Sequence, residues 1–404
     1  MLKKERLELI NIVIFAIYLV CYLLLCEFFM LEDFIFVRHF LLLGAYGISL
    51  LSIIRLHGFG FLKKTLSNKN ALWVIPLSFF FLIQSFAIAF TNGREFSLRT
   101  LVQISNFLLP TLYVFNLINI IPLKKIIPMV KVSTIIFIVI YFMEPEHSLI
   151  EFFNVDNWAS IDLLRSKTFT ESNICAESFL QMFLFYYYIE KANKNDKEED
   201  TYSVRWYKIL AGVFTVLSFK RLGLVFLILV ALFGGVTKIT RRRVGFKYKD
   251  VIFATVMVAL TVAYVMFLTG RIFPELDVNR ITSSRGWILG LWEKQGYFSY
   301  GYGTSIYIIG RYLEMDLVQI YLELGLVSLW LFCYVYFKIC NKSAYANVIM
   351  IYVMLNLMTA STMQHATSWI FLCVTIFSVL KSGPYDEKRM MHSNGERKIH
   401  EKIR

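Results

Sequence analysis

Between Gly270 and Gly325 the sequence reads GRIFPELDVNRITSSRGWILGLWEKQGYFSYGYGTSIYIIGRYLEMDLVQIYLELG, a polar stretch in a strongly apolar chain. It carries four arginines, Arg271, Arg280, Arg285 and Arg311, with Lys294 as a further cation. A guanidinium meets phosphate oxygens two at a time through its planar fork, which an ammonium cannot do. Such a cluster suits a diphosphate, whose departure develops negative charge that fixed cations stabilise. Outside the cytoplasm there is no ATP, so a transfer there needs a substrate that brings its own leaving group. A sugar carried on a lipid diphosphate does so. Arg94, Arg99, Arg165 and the Lys220-Arg221 pair extend the set. Pairing with lipid headgroups, or with acids such as Glu275 and Asp277, competes for any one of these cations. The cluster as a whole is the stronger signal.

Transfer to a hydroxyl also needs a base beside it. Glu314 and Asp316 stand where the last long apolar runs begin, and Glu323 follows Asp316 by seven residues on one helical face, with Gln319 between them. Rival roles are an ion pair with an arginine for Glu323, and a polar helix start for Glu314 and Asp316. The run Gly296-Tyr297-Phe298-Ser299-Tyr300-Gly301-Tyr302-Gly303 offers aromatic faces to sugar rings, or anchors a membrane interface. His365 reads as a loop-edge residue rather than a base. A metal is weakly supported: Glu32-Asp33 and Glu144-Pro145-Glu146-His147 supply oxygen and nitrogen donors without ligand spacing, and no metal or other cofactor is expected.

These residues need a scaffold, and composition defines it. In 404 residues, 57% are hydrophobic, and repeated apolar runs are long enough to span a bilayer. The expected fold class is all-α: a polytopic helical membrane protein forming one integral domain over 1–404. Spans are expected at roughly 9–26, 39–56, 71–90, 101–121, 126–143, 174–189, 207–219, 222–237, 251–269, 315–337, 346–363 and 367–380. With both termini cytoplasmic, 30 of the 42 Lys and Arg fall inside and 12 outside. The inside set includes Lys63, Lys64, Lys124, Lys125 and Arg241-Arg242-Arg243, as the positive-inside rule requires. This places 270–314 in a long extracytoplasmic loop.

The break at Lys220-Arg221 decides that count. Read as one helix, 207–237 would be too long for a bilayer and would carry Arg241 to Arg243 outside. Read as a hairpin, its first arm is short, about 20 Å at 1.5 Å per residue, which would sink Lys220 and Arg221 within the outer leaflet. Charges there face a wet or anion-filled cavity, or snorkel to the headgroups.

Other features narrow the class. The net charge of +13 follows from topology, and no basic run interleaves with a nucleic-acid fold. There is no Walker A sequence and no GxGxxG. The six cysteines lack CxxC spacing and read as buried small residues. The N-terminal apolar run lacks a small-residue cleavage site and reads as an uncleaved first helix. Residues 190–206 form a mixed-charge cytoplasmic linker, and 382–404 a basic cytoplasmic tail.

Four segments resemble the O-antigen polymerase and O-antigen ligase family of bacterial envelope glycosyltransferases. Arg285 to Gly296 is similar to the family's arginine-ten-residues-glycine pattern, and Ser218-Phe219-Lys220-Arg221-Leu222-Gly223 to its serine-to-arginine hairpin. Thr168-Phe169-Thr170-Glu171-Ser172-Asn173 resembles the stretch that ends in asparagine before a family helix. Glu314 to Gly325 resembles the segment where ligases place His-Asn, nine residues and Gly. Here Glu314 and Met315 replace His-Asn, and Ser328 the closing Gly, Thr or Tyr, which argues against a typical ligase.

The resemblance implies a metal-independent, inverting transfer on the outer face of the cytoplasmic membrane. An undecaprenyl-diphosphate-linked glycan would be moved onto another lipid-linked repeat unit, building O-antigen or capsular polysaccharide. In that assignment Arg221 and Arg285 hold diphosphate, and Arg94, Arg99, Lys220, Arg271, Arg280, Arg311, Asn173 and Glu323 contact substrate. Glu314 or Asp316 activates the hydroxyl. Partners would be the lipid-linked oligosaccharide, membrane lipids and a chain-length regulator, with no nucleic acid. The competing readings are a ligase acting on another acceptor and a flippase for the same lipid.

Overall fold

Long apolar runs in a bilayer have no water to bond their backbone, and helix satisfies each N–H and C=O within its own segment. The computed structural model describes every residue except 1, 28–34, 59, 61–65, 144–174, 193–197, 219, 276–277, 283–284, 297, 312, 362, 364 and 383–404. Among the described residues the regular elements are helices, with one isolated bridge between Arg243 and Ser343.

The first five long helices are α1 (Leu2–Glu27), α2 (Ile35–His57), α3 (Val74–Thr91), α4 (Leu98–Ile120) and α5 (Leu123–Met143). Next come α6 (Cys175–Ala192), α7 (Glu198–Leu217), α8 (Arg221–Thr237) and α9 (Lys249–Leu268). Three short helices, α10 (Val278–Ile281), α11 (Arg285–Lys294) and α12 (Ser305–Ile309), lead to α13 (Asp316–Ile339), α14 (Ala344–Thr359) and α15 (Ala366–Ser382).

Seven helices, α1 to α5 with α9 and α13, are long and apolar enough to cross a membrane. Helices α8, α14 and α15 are apolar but shorter. Helix α6 is buried from Cys175 to Ile189, so it faces protein and has no need of a lipid-compatible surface. Helix α7 begins with the polar run Glu198 to Arg205. The expected break lies where the sequence put it: α7 stops at Leu217, and Lys220 is an extended N-cap (φ −75°, ψ 104°) for α8. The expected short arm differs. Residues 207–217 are the second half of a 20-residue helix, about 30 Å long, so length no longer forces Lys220 and Arg221 below the headgroups.

The core runs through α4, α6, α13, α14 and α15. Tyr113, Tyr186, Tyr336, Tyr345 and Trp369 are all but fully buried there. Four of the five polar tips find partners, while the Tyr113 hydroxyl finds none among the described residues. Trp369 Nε1 donates to Tyr336 Oη at 3.2 Å and lies 3.3 Å from Thr111 Oγ1, Tyr345 Oη donates to Leu184 O at 2.8 Å, and Tyr186 Oη lies 2.8 Å from Thr134 Oγ1.

The helix ends sort into two groups. At one end Asn70 Nδ2 donates to Lys338 O (2.9 Å), the Val244 N–H to Lys342 O (2.9 Å), and Lys125 pairs with Glu8 (2.7 Å). That end carries Arg241, Arg242, Arg243, Lys249 and Lys381 as well. Connectivity puts the Thr91–Leu98 turn, the Lys220 break, residues 270–315 and residues 360–365 at the other end.

The described residues of 270–315 are packed rather than loose. Val265 and Leu268 of α9, Val278, Ile288 and Leu289, and Leu313, Met315 and Val318 form a second small apolar core. The following strap is tied to the bundle: Asn92 Nδ2 donates to Ser299 O (2.8 Å), the Tyr302 N–H to Ser85 Oγ (3.1 Å), and Thr100 Oγ1 to Tyr302 O (2.8 Å). Gly301 (φ 112°) and Gly303 (φ 81°) make the close approach possible: a Cβ on Gly301 would lie 2.9 Å from Ser85 Cβ, and one on Gly303 would overlap Gln103 Cγ. Gly303→Ala is therefore expected to cost about 1–3 kcal/mol from its backbone angle alone, plus that overlap. Gly290→Ala, in α11 with nothing within 4 Å of the added Cβ, should be neutral or mildly stabilising. Thermal unfolding of the two detergent-solubilised variants checks this; equal melting temperatures would refute it.

Candidate functional site

The polar end of α13 organises the candidate site. Gly325 (φ 83°, ψ 179°) breaks the helix, which frees carbonyls that the helical ladder would have used. Ser299 Oγ donates to Glu323 O at 2.8 Å, and Gln84 Nε2 to Leu324 O at 2.5 Å. Ser328 Oγ donates to Gln84 Oε1 and to Leu324 O. Just before the break, the Glu323 carboxylate, 1% exposed, accepts N–H bonds from Gly303 (2.6 Å) and Ser305 (2.7 Å) and from Gln319 Nε2 (3.0 Å). Asp316, equally buried, accepts the Met363 N–H at 2.9 Å, while its own N–H points at Ala360 O. The sequence puts Asp316, Gln319 and Glu323 on one face. In the structure Glu323 holds the strap through backbone N–H groups rather than through an arginine, and Asp316 holds the 360–365 turn.

Around this anchor the arginines rest on aromatic rings. Arg94 lies 5.0 Å over Tyr300, Arg99 5.3 Å over Tyr307, and Arg311 5.6 Å over Trp287. Exposed contacts of this kind contribute about 0.5–1 kcal/mol each, enough to orient a side chain. Arg94 and Arg311 are also exposed, so solvent or a ligand reaches them beside the ring. Tyr302, by contrast, is fully buried on Phe81 at 5.5 Å; burial first, then Asp316 and Glu323, holds its phenol well above the usual range.

Arg285 opens α11. Gly286 lets that helix come close, since a Cβ there would lie 3.0 Å from Leu268 O. Arg285 Nη1 donates to Thr282 O at 3.1 Å, and its buried Nε finds no acceptor among the described residues. Helix α11 then ends with the Gly296 N–H on Glu293 O, Gly296 having φ 73°. The arginine-to-glycine spacing seen in the sequence is thus the length of one short helix. Arg271 and Glu293, both exposed, approach to 3.7 Å. Glu314 is exposed.

A second cluster lies at the same end. Lys220 Nζ is 3.7 Å from Glu177 Oε1, which also accepts a 2.8 Å bond from Tyr352 Oη. Tyr352 stacks on Phe226 at 4.4 Å, and Gly223 makes room beside its hydroxyl. Burial first, then Lys220 and Arg38, pushes the His365 imidazole from 6.5 down to about 3, so it is neutral at ordinary pH. The neighbouring Arg221 is exposed. Sequence reasoning passed over Glu177, Tyr352 and Arg38; an acid inside an apolar span was the available signal for Glu177. No described contact joins this cluster to Arg285.

Asn173, Arg165, Glu32, Asp33, Asp277 and Glu144 to His147 lie outside the described residues, and of Arg280 only the backbone is described. No group of three or more metal-ligating side chains occurs among the described residues. Five cysteines are free, four of them buried; the side chain of Cys26 is outside the described set. No protein-family model, no curated protein and no solved structure matches the chain.

Glu323→Ala should destabilise by about 1–3 kcal/mol for each N–H left buried and unpaired, with Glu323→Gln milder because it keeps an acceptor oxygen. Thermal unfolding of both variants tests this; identical losses would remove the strap-anchor role. Because the His365 pKa is lowered on folding, its contribution is intact above 6.5 and lost as pH falls toward 3. The melting temperature of His365→Gln should fall less steeply than wild type across that window. Parallel curves would contradict the lowered pKa.

Proposed function

We propose that this protein polymerises undecaprenyl-diphosphate-linked oligosaccharide repeat units on the outer face of the bacterial cytoplasmic membrane. In this reading the chain crosses the membrane twelve times, both termini are cytoplasmic, and 270–314 is extracytoplasmic. The observation that carries the reading is the gathering of Arg94, Arg99, Arg271, Arg285 and Arg311 at the end of the bundle opposite the Arg241 to Arg243 cluster. Cations on the side that membrane proteins normally keep poor in them need an anionic partner.

The chemistry follows from the site. Arg285, with a buried N–H to spare, and Arg221, exposed at the head of α8, hold the diphosphate of the donor. Arg271, Arg280, Arg311, Arg94, Arg99 and Lys220 add positive potential, and Asn173 lies on the segment leading into α6. The hydroxyl at the non-reducing end of the acceptor attacks the anomeric carbon and inverts it, while the diphosphate leaves with the bond pair, steadied by the guanidinium groups. Of the two candidate acids for taking the hydroxyl proton, Asp316 is buried and bonded to Met363, so the exposed Glu314 is assigned the role. Glu323 supports the strap behind them.

The test is the surface polysaccharide of a deletion strain complemented with variants. Arg221→Ala and Arg285→Ala should each reduce the product to single exported repeat units at normal protein abundance. Wild-type ladders from both variants would discredit the diphosphate assignment. Repeat units trapped inside the deletion strain would point to a flippase, and long unattached lipid-linked polymer to a ligase.

A further inference from the structure

Between α9 and α13 lies a cavity of about 300 Å³ whose apolar walls take no part in the chemistry above. Val262, Val265 and Met266 form one wall, Tyr321 and Leu322 the other, and Thr269 and Arg271 lie where α9 runs out into the loop. That is the small end of the roughly 300–1,000 Å³ typical of ligand pockets. Its chemistry is lopsided: apolar along its length, with a single charge at the loop end. Both ends of that gradient reach the surface. Met266 is 39% exposed, and both walls carry further exposed apolar residues, Val256 and Leu260 on α9 and Leu326 and Val327 on α13. The Arg271 side chain is 62% exposed at the other end.

An apolar slot open on a lipid-facing flank and closed by a guanidinium fits one chain bearing an anionic head. The wall is fixed rather than adaptable, because Val265, Tyr321 and Leu322 belong to the small core that seats α11. That seating also fixes where the head would sit. Arg285 starts α11, whose Gly286 packs against Leu268 O, so Arg271 and Arg285 leave the same end of α9. The pair that Arg271 makes with Glu293 at 3.7 Å is exposed on both sides, contributes little, and gives way to a stronger anion.

We propose that this slot takes the first isoprene units of the polyprenyl diphosphate, with Arg271 against the phosphate nearest the lipid. The donor would then enter sideways between α9 and α13, its sugar carried toward Arg285. The inference rests on the proposed function and adds the position of the lipid tail to it.

The experiment is a binding titration of the purified full-length protein in detergent, with undecaprenyl phosphate as probe and phosphatidylglycerol as competitor. Wild type should bind the probe. Val262→Trp, which fills the slot, and Arg271→Ala should each weaken binding about tenfold or more, and phosphatidylglycerol should not compete. Arg271 is exposed, so its alanine variant keeps the fold and decides the matter even if the tryptophan variant misfolds. Wild-type affinity in Arg271→Ala, or full displacement by phosphatidylglycerol, would overturn the slot while leaving the polymerase reading standing. Failure of the wild-type protein to bind undecaprenyl phosphate would overturn both.

Discussion

A single buried carboxyl group ties the 299–305 strap to the helix bundle. Glu323 sits in an apolar bundle, where an unsatisfied polar group would be costly, and its oxygens accept hydrogen bonds from directed N–H groups of Gly303, Ser305 and Gln319. Those N–H groups belong to a strap whose glycines adopt angles that other residues resist and pass close to α3 and α4. The carboxyl group and the strap therefore require each other. Without the strap the acid would be left buried and unsatisfied; without the acid the strap would lose part of its seat over Ser85 and Thr100.

Two of the arginines at that end inherit their positions from this seat. Tyr300 and Tyr307 ride on the strap or just beyond it, and each carries an arginine that starts from the α3–α4 turn or from α4. Arg285 is placed independently, by Gly286 against the end of α9 and by the small core beneath α11. Two separate devices thus hold two groups of guanidiniums at one end, and a distributed anion such as a diphosphate sugar is the kind of ligand both can grip.

Much of this was legible in the sequence, and the exceptions have physical reasons. Apolar runs announce helices by their length, so the helix order and the break at Lys220 could be read directly. The length of α7 could not, because its first two turns are polar and carry no apolar period. The shared face of Asp316, Gln319 and Glu323 follows from spacing alone, yet what each acid binds depends on segments distant in the chain, Gly303 and Met363, which spacing does not reveal. The Gly-Tyr run read as sugar platform or interface anchor. Tyr302 is neither of these, since it is buried against Phe81, while Tyr300 keeps its face for Arg94. Glu177 and Tyr352 lie 175 residues apart and meet only in three dimensions.

The burial of α6 bears on how the chain is made. Its cover comes in large part from α15, where Ser368 meets Ser178, Thr375 Oγ1 donates to Gln181 O, and Val379 O accepts from Tyr188. Helix α15 is nearly two hundred residues downstream, so during synthesis the middle of the protein waits for the last long helix to arrive. Until then a helix bearing Glu177, Gln181 and three consecutive tyrosines has α5 and α7 for neighbours but lacks α15. Completion of the centre is therefore a late event, and a chain stopped before Ala366 would leave one side of its most protected segment uncovered.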